Sequence, residues 1–105
     1  MKLWIDDVRH APTGYVWCRS VNDAKYCIIR SRNIDRNYKK LDTIELIDID
    51  HDAGDYATEG GDYIKLLDWL EEKQFSYPIH IHSMNPVGVA NMKAIIQKNG
   101  WKEIL

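Results

Sequence analysis

Apolar and polar positions divide the chain into five short strands and three helices. Runs rich in apolar, β-branched and aromatic residues predict the strands, and apolar residues at helical spacing predict the helices. The predicted strands span residues 2–6, 15–19, 43–50, 78–82 and 101–105, and the predicted helices span residues 21 to about 32, 62–74 and 86–99. Ser20 and Asn85 are the expected N-caps of the first and third helices, and Gly100 is the expected end of the third.

This order of elements predicts one α/β domain over residues 1–105. Strands that alternate with helices of about ten or more residues form largely parallel sheets. Eight residues, 7–14, separate the first two strands. A parallel crossover usually needs about a dozen. The second strand therefore either follows an extended crossover or is an antiparallel edge.

Composition and charge exclude several classes of protein. The chain has 45% hydrophobic and 29% charged residues, which is ordinary for a folded domain. Its net charge of −2 argues against sequence-independent binding to nucleic acid, which needs an excess of basic residues. A basic cluster over residues 30–40 is either a solvated connector or a surface that receives RNA. No apolar run approaches the roughly 18 residues of a membrane span.

Two cysteines, Cys18 and Cys27, are nine positions apart. This spacing fits no metal or redox motif, and secreted domains of this size usually contain more cysteines. The pattern indicates reduced thiols in a cytoplasmic protein.

Chemically active side chains gather where the predicted strands end. The first strand ends in Asp6 and Asp7, the third in the string Asp50-His51-Asp52, and the fourth in His82 and Ser83, with His80 two positions earlier. Ligands of open parallel sheets bind outside the carboxyl ends of the strands. We therefore expect these side chains to meet in one site.

The carboxylates form a candidate metal site. Adjacent Asp6 and Asp7 repel each other unless a cation or a shared proton relieves them, and Mg²⁺ or Mn²⁺ prefers such oxygen ligands. Asp50 and Asp52 share a face if the strand continues, and His51 then points the other way. All four aspartates are candidate ligands; the alternative is that they are solvated or cap loops. Asp48, inside the third strand on the same face as Asp50, is either a functional carboxylate or a structural one that a neighbouring backbone group satisfies, and the structural interpretation is preferred.

The histidines and the start of the third helix suggest acid–base chemistry on a phosphate. His80 and His82 share one face of a strand and could bind a metal or act as acid and base, although His80 could equally be structural. A helix N-terminus after Ser83 favours an anion, with Ser83 and Asn85 as donors. Arg9 is a candidate phosphate clamp or a surface arginine.

Three strings carry a resemblance to a known family. They are LWIDDVR at 3–9 with Pro12, IDHDAG at 49–54 and IHIHSMNPVG at 79–88. They resemble the cyclic-phosphate processing receiver-like domain family, a compact variant of the response-regulator receiver fold. The resemblance implies a receiver-like (flavodoxin-like) three-layer α/β sandwich with a mostly parallel five-stranded sheet that lacks the first crossover helix. It also implies a role on cyclic phosphates in nucleotides or in RNA processing.

The same resemblance assigns positions within the site. Asp6 and Asp7 match the acidic pair of receivers, Asp50 matches the phosphoacceptor, and Ser83 matches the receiver hydroxyl. A phosphotransfer receiver keeps a lysine at the carboxyl end of its last strand, whereas Lys102 stands at the start of the last predicted strand. Phosphorylation of Asp50 is therefore the weaker interpretation.

The leading hypothesis is a hydrolase, a phosphoesterase that opens a cyclic phosphate of a nucleotide or RNA end. His82 and His51 would act as acid and base, while Asp7 and Asp50 would orient them or hold Mg²⁺ or Mn²⁺. The expected substrate contacts come from Ser83, Arg9, His80 and Asn85. The alternatives are a binding module without turnover and a receiver phosphorylated on Asp50. The Trp17 edge and the last strand are candidate surfaces for a homodimer.

Overall fold

The computed structural model describes residues 1–32 and 43–105. Its elements are β1 (Lys2–Ile5), β2 (Tyr15–Cys18), α1 (Val21–Arg32), β3 (Leu46–Ile49), a short 3-10 helix (Gly54–Thr58), α2 (Ile64–Lys73), β4 (Ile79–Ile81) and α3 (Pro86–Asn99). All three predicted helices are confirmed, with bounds within two residues of those expected. Most of the basic cluster predicted over residues 30–40 lies outside the described residues.

The sheet is parallel throughout its four strands, in the order β2-β1-β3-β4. The direction of β2, which the sequence leaves open, is parallel to β1. The connection between these strands contains no helix, as expected from its length. An extended loop is long enough here because β2 is the immediate neighbour of β1.

The fifth predicted strand does not form. Residues 101–105 contribute one isolated parallel bridge, between Ile79 and Glu103. The described part of the chain therefore contains a four-stranded sheet, and the expectation of five strands is wrong. The neighbouring strand β4 has only three residues, which leaves little backbone for further pairing.

The three helices form one layer. From β2 to β3 and from β3 to β4 the chain steps across the sheet in the same direction, and right-handed crossovers then place α1 and α2 on the same face. Helix α2 contacts both α1 and α3. In the described part of the chain, the expected three-layer sandwich is thus a two-layer structure. The step from β1 to β2 runs the opposite way, and it is the connection without a helix.

The hydrophobic core lies between this helical layer and one face of the sheet. The buried strand residues on that face are Leu3, Ile5, Ile47, Ile49 and Ile79, and the buried helix residues include Val21, Ala24, Ile28, Leu66, Leu67, Leu70, Met92 and Ile96. The opposite face is called the helix-free face below, because no helix of residues 1–32 and 43–105 covers it. It carries the alternate residues Lys2, Trp4, Tyr15, Trp17, Leu46, Asp48 and His80. No helix of the described residues is long and apolar enough to cross a membrane.

Candidate functional site

Asp6 directly follows β1 and is completely buried. Its Oδ1 accepts backbone hydrogen bonds from Val8 at 2.9 Å and Arg9 at 2.8 Å, and its Oδ2 lies 2.9 Å from His82 Nε2. Burial raises the pKa of Asp6, but the two backbone hydrogen bonds and His82 together lower it below its ordinary value. Asp6 is therefore an ionised carboxylate that shapes the loop after β1.

His82 lies between two carboxylates. Its Nε2 faces Asp6, and its Nδ1 is 2.6 Å from Asp48 Oδ1. A carboxylate only accepts hydrogen bonds when ionised, so both ring nitrogens donate and the ring is an imidazolium. Burial lowers the pKa of His82, but the contacts with Asp48 and Asp6 raise it above its ordinary value. The ring also stacks on Trp4, with centroids 3.9 Å apart and an interplanar angle of 4°.

Asp48 joins His82 to a second histidine. Its Oδ1 is 2.8 Å from His80 Nδ1 as well as 2.6 Å from His82 Nδ1. Burial raises the pKa of Asp48, but these two contacts lower it below its ordinary value. The sequence favours a structural role for Asp48, and the structure gives this carboxylate two histidine side chains as partners. His80 lies two positions before His82 and therefore deeper in the sheet, beneath the edge where the other candidates gather.

Two further acidic residues, Asp50 and Asp7, also follow strands whose ends carry this group of aspartates and histidines. Asp6, Asp50 and His82 each have a polar atom within 4.8 Å of the others. Asp7 lies against Gly54, where a β-carbon would overlap its carboxylate and where the backbone has a φ of +54°. The strand ends thus converge as the sequence predicts.

A metal ion fits the carboxylates better than the histidine. While both nitrogens of His82 donate to carboxylates, the ring has no lone pair for a metal. Asp6 already accepts hydrogen bonds on both oxygens. Asp50 uses Oδ1 for the backbone N–H of His51, at 2.7 Å. Carboxylate oxygens suit Mg²⁺ and Mn²⁺, so Asp50 is the member of this group that best fits such an ion.

His51 belongs to a different cluster, on the helical side of the sheet. Its Nδ1 lies 2.9 Å from Asp52 Oδ1, and its ring packs against the backbone of Gly88. Asn85 donates from Nδ2 to Asp52 Oδ2 at 3.4 Å and caps α3 by accepting from the Gly88 amide at 3.0 Å. The hydrogen bond from His51 lowers the pKa of Asp52. The structure thus places His51 and His82, the predicted acid–base pair, in separate clusters.

An open cleft of about 340 Å³ lies at the carboxyl edge of the sheet, beside the start of α3. Its lining residues are Arg9, Asp50, Asp52, Ser83, Met84 and Asn85. Ligand sites in proteins usually enclose about 300–1,000 Å³. Arg9 is held there by a hydrogen bond from Nη1 to the backbone oxygen of His82, at 3.1 Å. The cleft therefore combines a cation and a helix N-terminus with two carboxylates.

Sequence reasoning missed two residues of this region. Trp4, which stacks on His82, lies two positions before Asp6, so strand alternation already places it on the same face. Gly88 lies in the first turn of α3, where glycine is a poor helix former and therefore signals a close approach.

Comparison with known proteins gives one family match. A family model described as "Cyclic-phosphate processing Receiver domain" matches residues 1–98. No curated protein and no solved structure matches the chain.

Proposed function

Because the chain belongs to the cyclic-phosphate processing receiver domain family, we propose that it is a phosphoesterase that opens the cyclic phosphate of a nucleotide or RNA end. The observation that carries this proposal is the cleft, in which Arg9 and the start of α3 stand beside Asp50 and Asp52. Such a site can hold a phosphate on its basic side and a divalent ion on its acidic side. This is the chemical requirement of phosphodiester hydrolysis.

The phosphate is bound by the basic side of the cleft. The first backbone N–H groups of a helix have no partner within the helix and attract anions. Asn85 caps α3 through Gly88, and Ser83 accepts a hydrogen bond from the backbone N–H of Asn85 at 3.1 Å, so both side chains stand at this end of the helix. Arg9 supplies a guanidinium that can bind two phosphate oxygens.

The acidic side provides for water activation. A bound Mg²⁺ or Mn²⁺ would polarise the phosphate and lower the pKa of a coordinated water. Asp50 and Asp7 are the residues that would hold the ion. Asp50 lines the cleft, and Asp7 is kept beside the loop after β3 by the absence of a side chain at Gly54.

The two histidines have different roles in this proposal. His82, held between Asp6 and Asp48, is a fixed positive charge that reduces the negative charge of two buried carboxylates below the cleft and so lessens the repulsion of an anionic substrate. His51 donates its Nδ1 proton to Asp52, which leaves Nε2 as the basic nitrogen. His51 is therefore the candidate general base and His82 the electrostatic partner.

Phosphorus NMR tests the proposal directly. Purified protein is incubated with 2′,3′-cyclic nucleotides and with an RNA that ends in a cyclic phosphate, in Mg²⁺, in Mn²⁺ and in chelator. We expect the cyclic signal to be replaced by that of a monoester, and Asp50→Asn to prevent this. Asp68→Asn, an exposed aspartate on α2, is the matched control and should leave the rate unchanged. A cyclic signal that persists in every condition would exclude turnover of these substrates.

A binding module without turnover is the second candidate. It is favoured by the engagement of both His82 nitrogens with carboxylates, which leaves that ring unable to accept a proton. The same NMR samples discriminate, because a binding module broadens or shifts the cyclic signal and returns intact ligand. Phosphotransfer to Asp50 is less favoured, because the backbone of Lys102 pairs with Ile79 at the amino end of β4, whereas the cleft lies at the carboxyl edge of the sheet.

A further inference from the structure

The two cysteines, nine positions apart in the sequence, are in contact in the structure. The thiol of Cys18 donates to the Sγ of Cys27 across 3.8 Å, and both cysteines are free. They lie on the helical side of the sheet, opposite the helix-free face. Cys18 pairs with the inward-facing Ile5, and Cys27 follows the buried Ala24 by three positions on α1. The spacing in the sequence gives no sign of this contact, because it depends on how α1 packs against β2.

The two thiols differ in exposure. Cys18 is 1% exposed within the hydrophobic core, whereas Cys27 is partly exposed on α1. Burial and the neighbouring Cys27 sulfur raise the pKa of Cys18 above its ordinary value, so this thiol remains protonated. The thiolate is the reactive form of a cysteine, and it reacts only where a reagent can reach it. Cys27 is therefore the thiol that meets a reagent first, and Cys18 is a second thiol already in contact with it.

The geometry of the pair is close to that of a disulfide. The two sulfur atoms need to approach by about 1.8 Å, because a disulfide bond is about 2.05 Å long. A buried cysteine by itself behaves as a small hydrophobic residue. Here the buried thiol has a partner that solvent reaches, which is the arrangement of an attacking cysteine beside a resolving one.

We propose that Cys18 and Cys27 form a redox modification site, at which a small disulfide such as oxidised glutathione converts the two thiols into an intramolecular disulfide. The Cys27 thiolate attacks one sulfur of the reagent, whose S–S bond breaks. The first glutathione leaves as a thiolate and takes up the proton that Cys27 lost. The Cys18 sulfur then attacks the Cys27 sulfur, and the second glutathione leaves as a thiol with the Cys18 proton. Two protein thiols are oxidised, and one reagent disulfide is reduced to two thiols.

The disulfide affects the candidate site through the backbone of β2. The Asp6 amide donates to the Cys18 oxygen at 3.3 Å, and the Trp17 indole donates to the Asp6 oxygen at 2.8 Å. Drawing Cys18 toward α1 moves the end of β2 out of the plane of the sheet, and this lengthens a hydrogen bond that lies in the plane. Close packing leaves little space to absorb the movement elsewhere. Oxidation therefore loosens the contact between β2 and Asp6, the carboxylate that binds His82.

Equilibration of the full chain with mixtures of reduced and oxidised glutathione tests the redox site. Free thiols are blocked by alkylation at each ratio, and the mass of the protein then reports free thiols, glutathione adducts and disulfides. We expect the wild-type protein to lose both thiols together, to accumulate no glutathione adduct and to recover both thiols in dithiothreitol. An adduct that persists on Cys27 while Cys18 stays reduced would overturn the proposal, and so would a disulfide that joins two chains.

Single-cysteine variants assign the two roles. Cys18→Ala keeps the exposed thiol and should stop at a glutathione adduct on Cys27, because no second thiol displaces the glutathione. Cys27→Ser keeps only the buried thiol, which should react at least about tenfold more slowly than Cys27 does in Cys18→Ala. Cys27→Ser changes a partly exposed position, so it remains informative if loss of the core thiol in Cys18→Ala unfolds the protein. Equal rates in the two variants would contradict the order of attack.

The amide proton of Asp6, observed by NMR, tests the effect on the candidate site. In the oxidised wild-type protein this proton should shift upfield, since its hydrogen bond to Cys18 lengthens, whereas the amide of Gln97, near the end of α3, should not move. Cys27→Ser treated with the same glutathione is the matched control and should leave the Asp6 amide unchanged. A disulfide that leaves this amide unshifted would overturn the displacement of β2. Neither measurement uses a cyclic phosphate, so the outcome is independent of the proposed function.

Discussion

The imidazole ring of His51 lies against the backbone of Gly88, in the space that a side chain at position 88 would occupy. His51 follows β3 and Gly88 belongs to α3, so the contact joins the sheet edge to the helix beside the cleft. The missing side chain thus determines where the candidate general base sits, although glycine weakens the helix that carries it.

Gly88→Ala is therefore expected to act through His51. An alanine in a helix is more favourable than glycine by about 0.5–1 kcal/mol, but here its β-carbon displaces the ring. In the wild-type background we expect lower stability and a loss of any phosphoesterase activity. In a His51→Ala background the obstruction is gone, and the same change should stabilise the protein by about 0.5–1 kcal/mol.

The wild-type protein, Gly88→Ala, His51→Ala and the double variant form a double-mutant cycle. Urea unfolding measures the free energy of unfolding of each. An equal effect of Gly88→Ala in both backgrounds would show that the two residues are not coupled.

His82→Gln should be strongly destabilising. It removes the charge that holds Asp6 and Asp48 together and leaves two buried carboxylates without their cation. Loss of one partner from a buried charge group costs about 3–5 kcal/mol. The free energy of unfolding from urea titration checks this. Adding Asp48→Asn should recover part of the loss, and His10→Gln, at an exposed histidine, should have little effect. A loss below about 1 kcal/mol would mean that His82 is not charged in the folded protein.

We expect the free energy of unfolding to decrease both at alkaline and at acidic pH. The contacts with Asp48 and Asp6 raise the pKa of His82 above its ordinary 6.5, so above that pH the folded protein retains a proton that the unfolded chain has lost. Stability then declines as the pH rises through the folded-state pKa. The pKa values of Asp6 and Asp48 are lowered from 3.8, so their contribution is present above that pH and is lost as the pH falls below it.

The urea concentration at the midpoint of unfolding, measured between pH 2 and 9, tests the alkaline and the acidic decline. In His82→Gln the alkaline decline should disappear, and a decline that persists there would have to come from another group.

Binding of Mn²⁺ should depend on Asp50. Calorimetric titration of the wild-type protein should show one weak site, and Asp50→Asn should abolish it, because the amide supplies a neutral oxygen in place of a charged ligand. Asp68→Asn, on the exposed side of α2, should retain the site. Heats that are indistinguishable from dilution in the wild-type protein would remove the metal ion from the proposed mechanism.

The sequence predicts the helices well because their ends carry local signals. Asn85 caps α3 and accepts from Gly88, and Gly100 ends it with a φ of +67°. The convergence of Asp6, Asp50 and His82 is also predictable, since each follows a strand of a parallel sheet.

Contacts between distant segments are not predictable from those signals. The direction of β2 and the failure of residues 101–105 to form a strand depend on pairing across the sheet. The partnership of Asp48 with two histidines depends on the register of β3 and β4, which the apolar pattern alone does not fix. The single helical layer depends on the direction of every crossover, which no local pattern encodes.

The hydrogen bond between Asp6 and His82 also affects when the site can form during synthesis. The two residues are 76 positions apart, so a chain growing from its N-terminus has β1, β2 and β3 available long before His82 is made. Until then Asp6 and Asp48 lack their common cation. The edge of the sheet that carries the cleft is therefore completed only after His82 has been made, and a chain that is interrupted earlier lacks the cation that pairs with these two carboxylates.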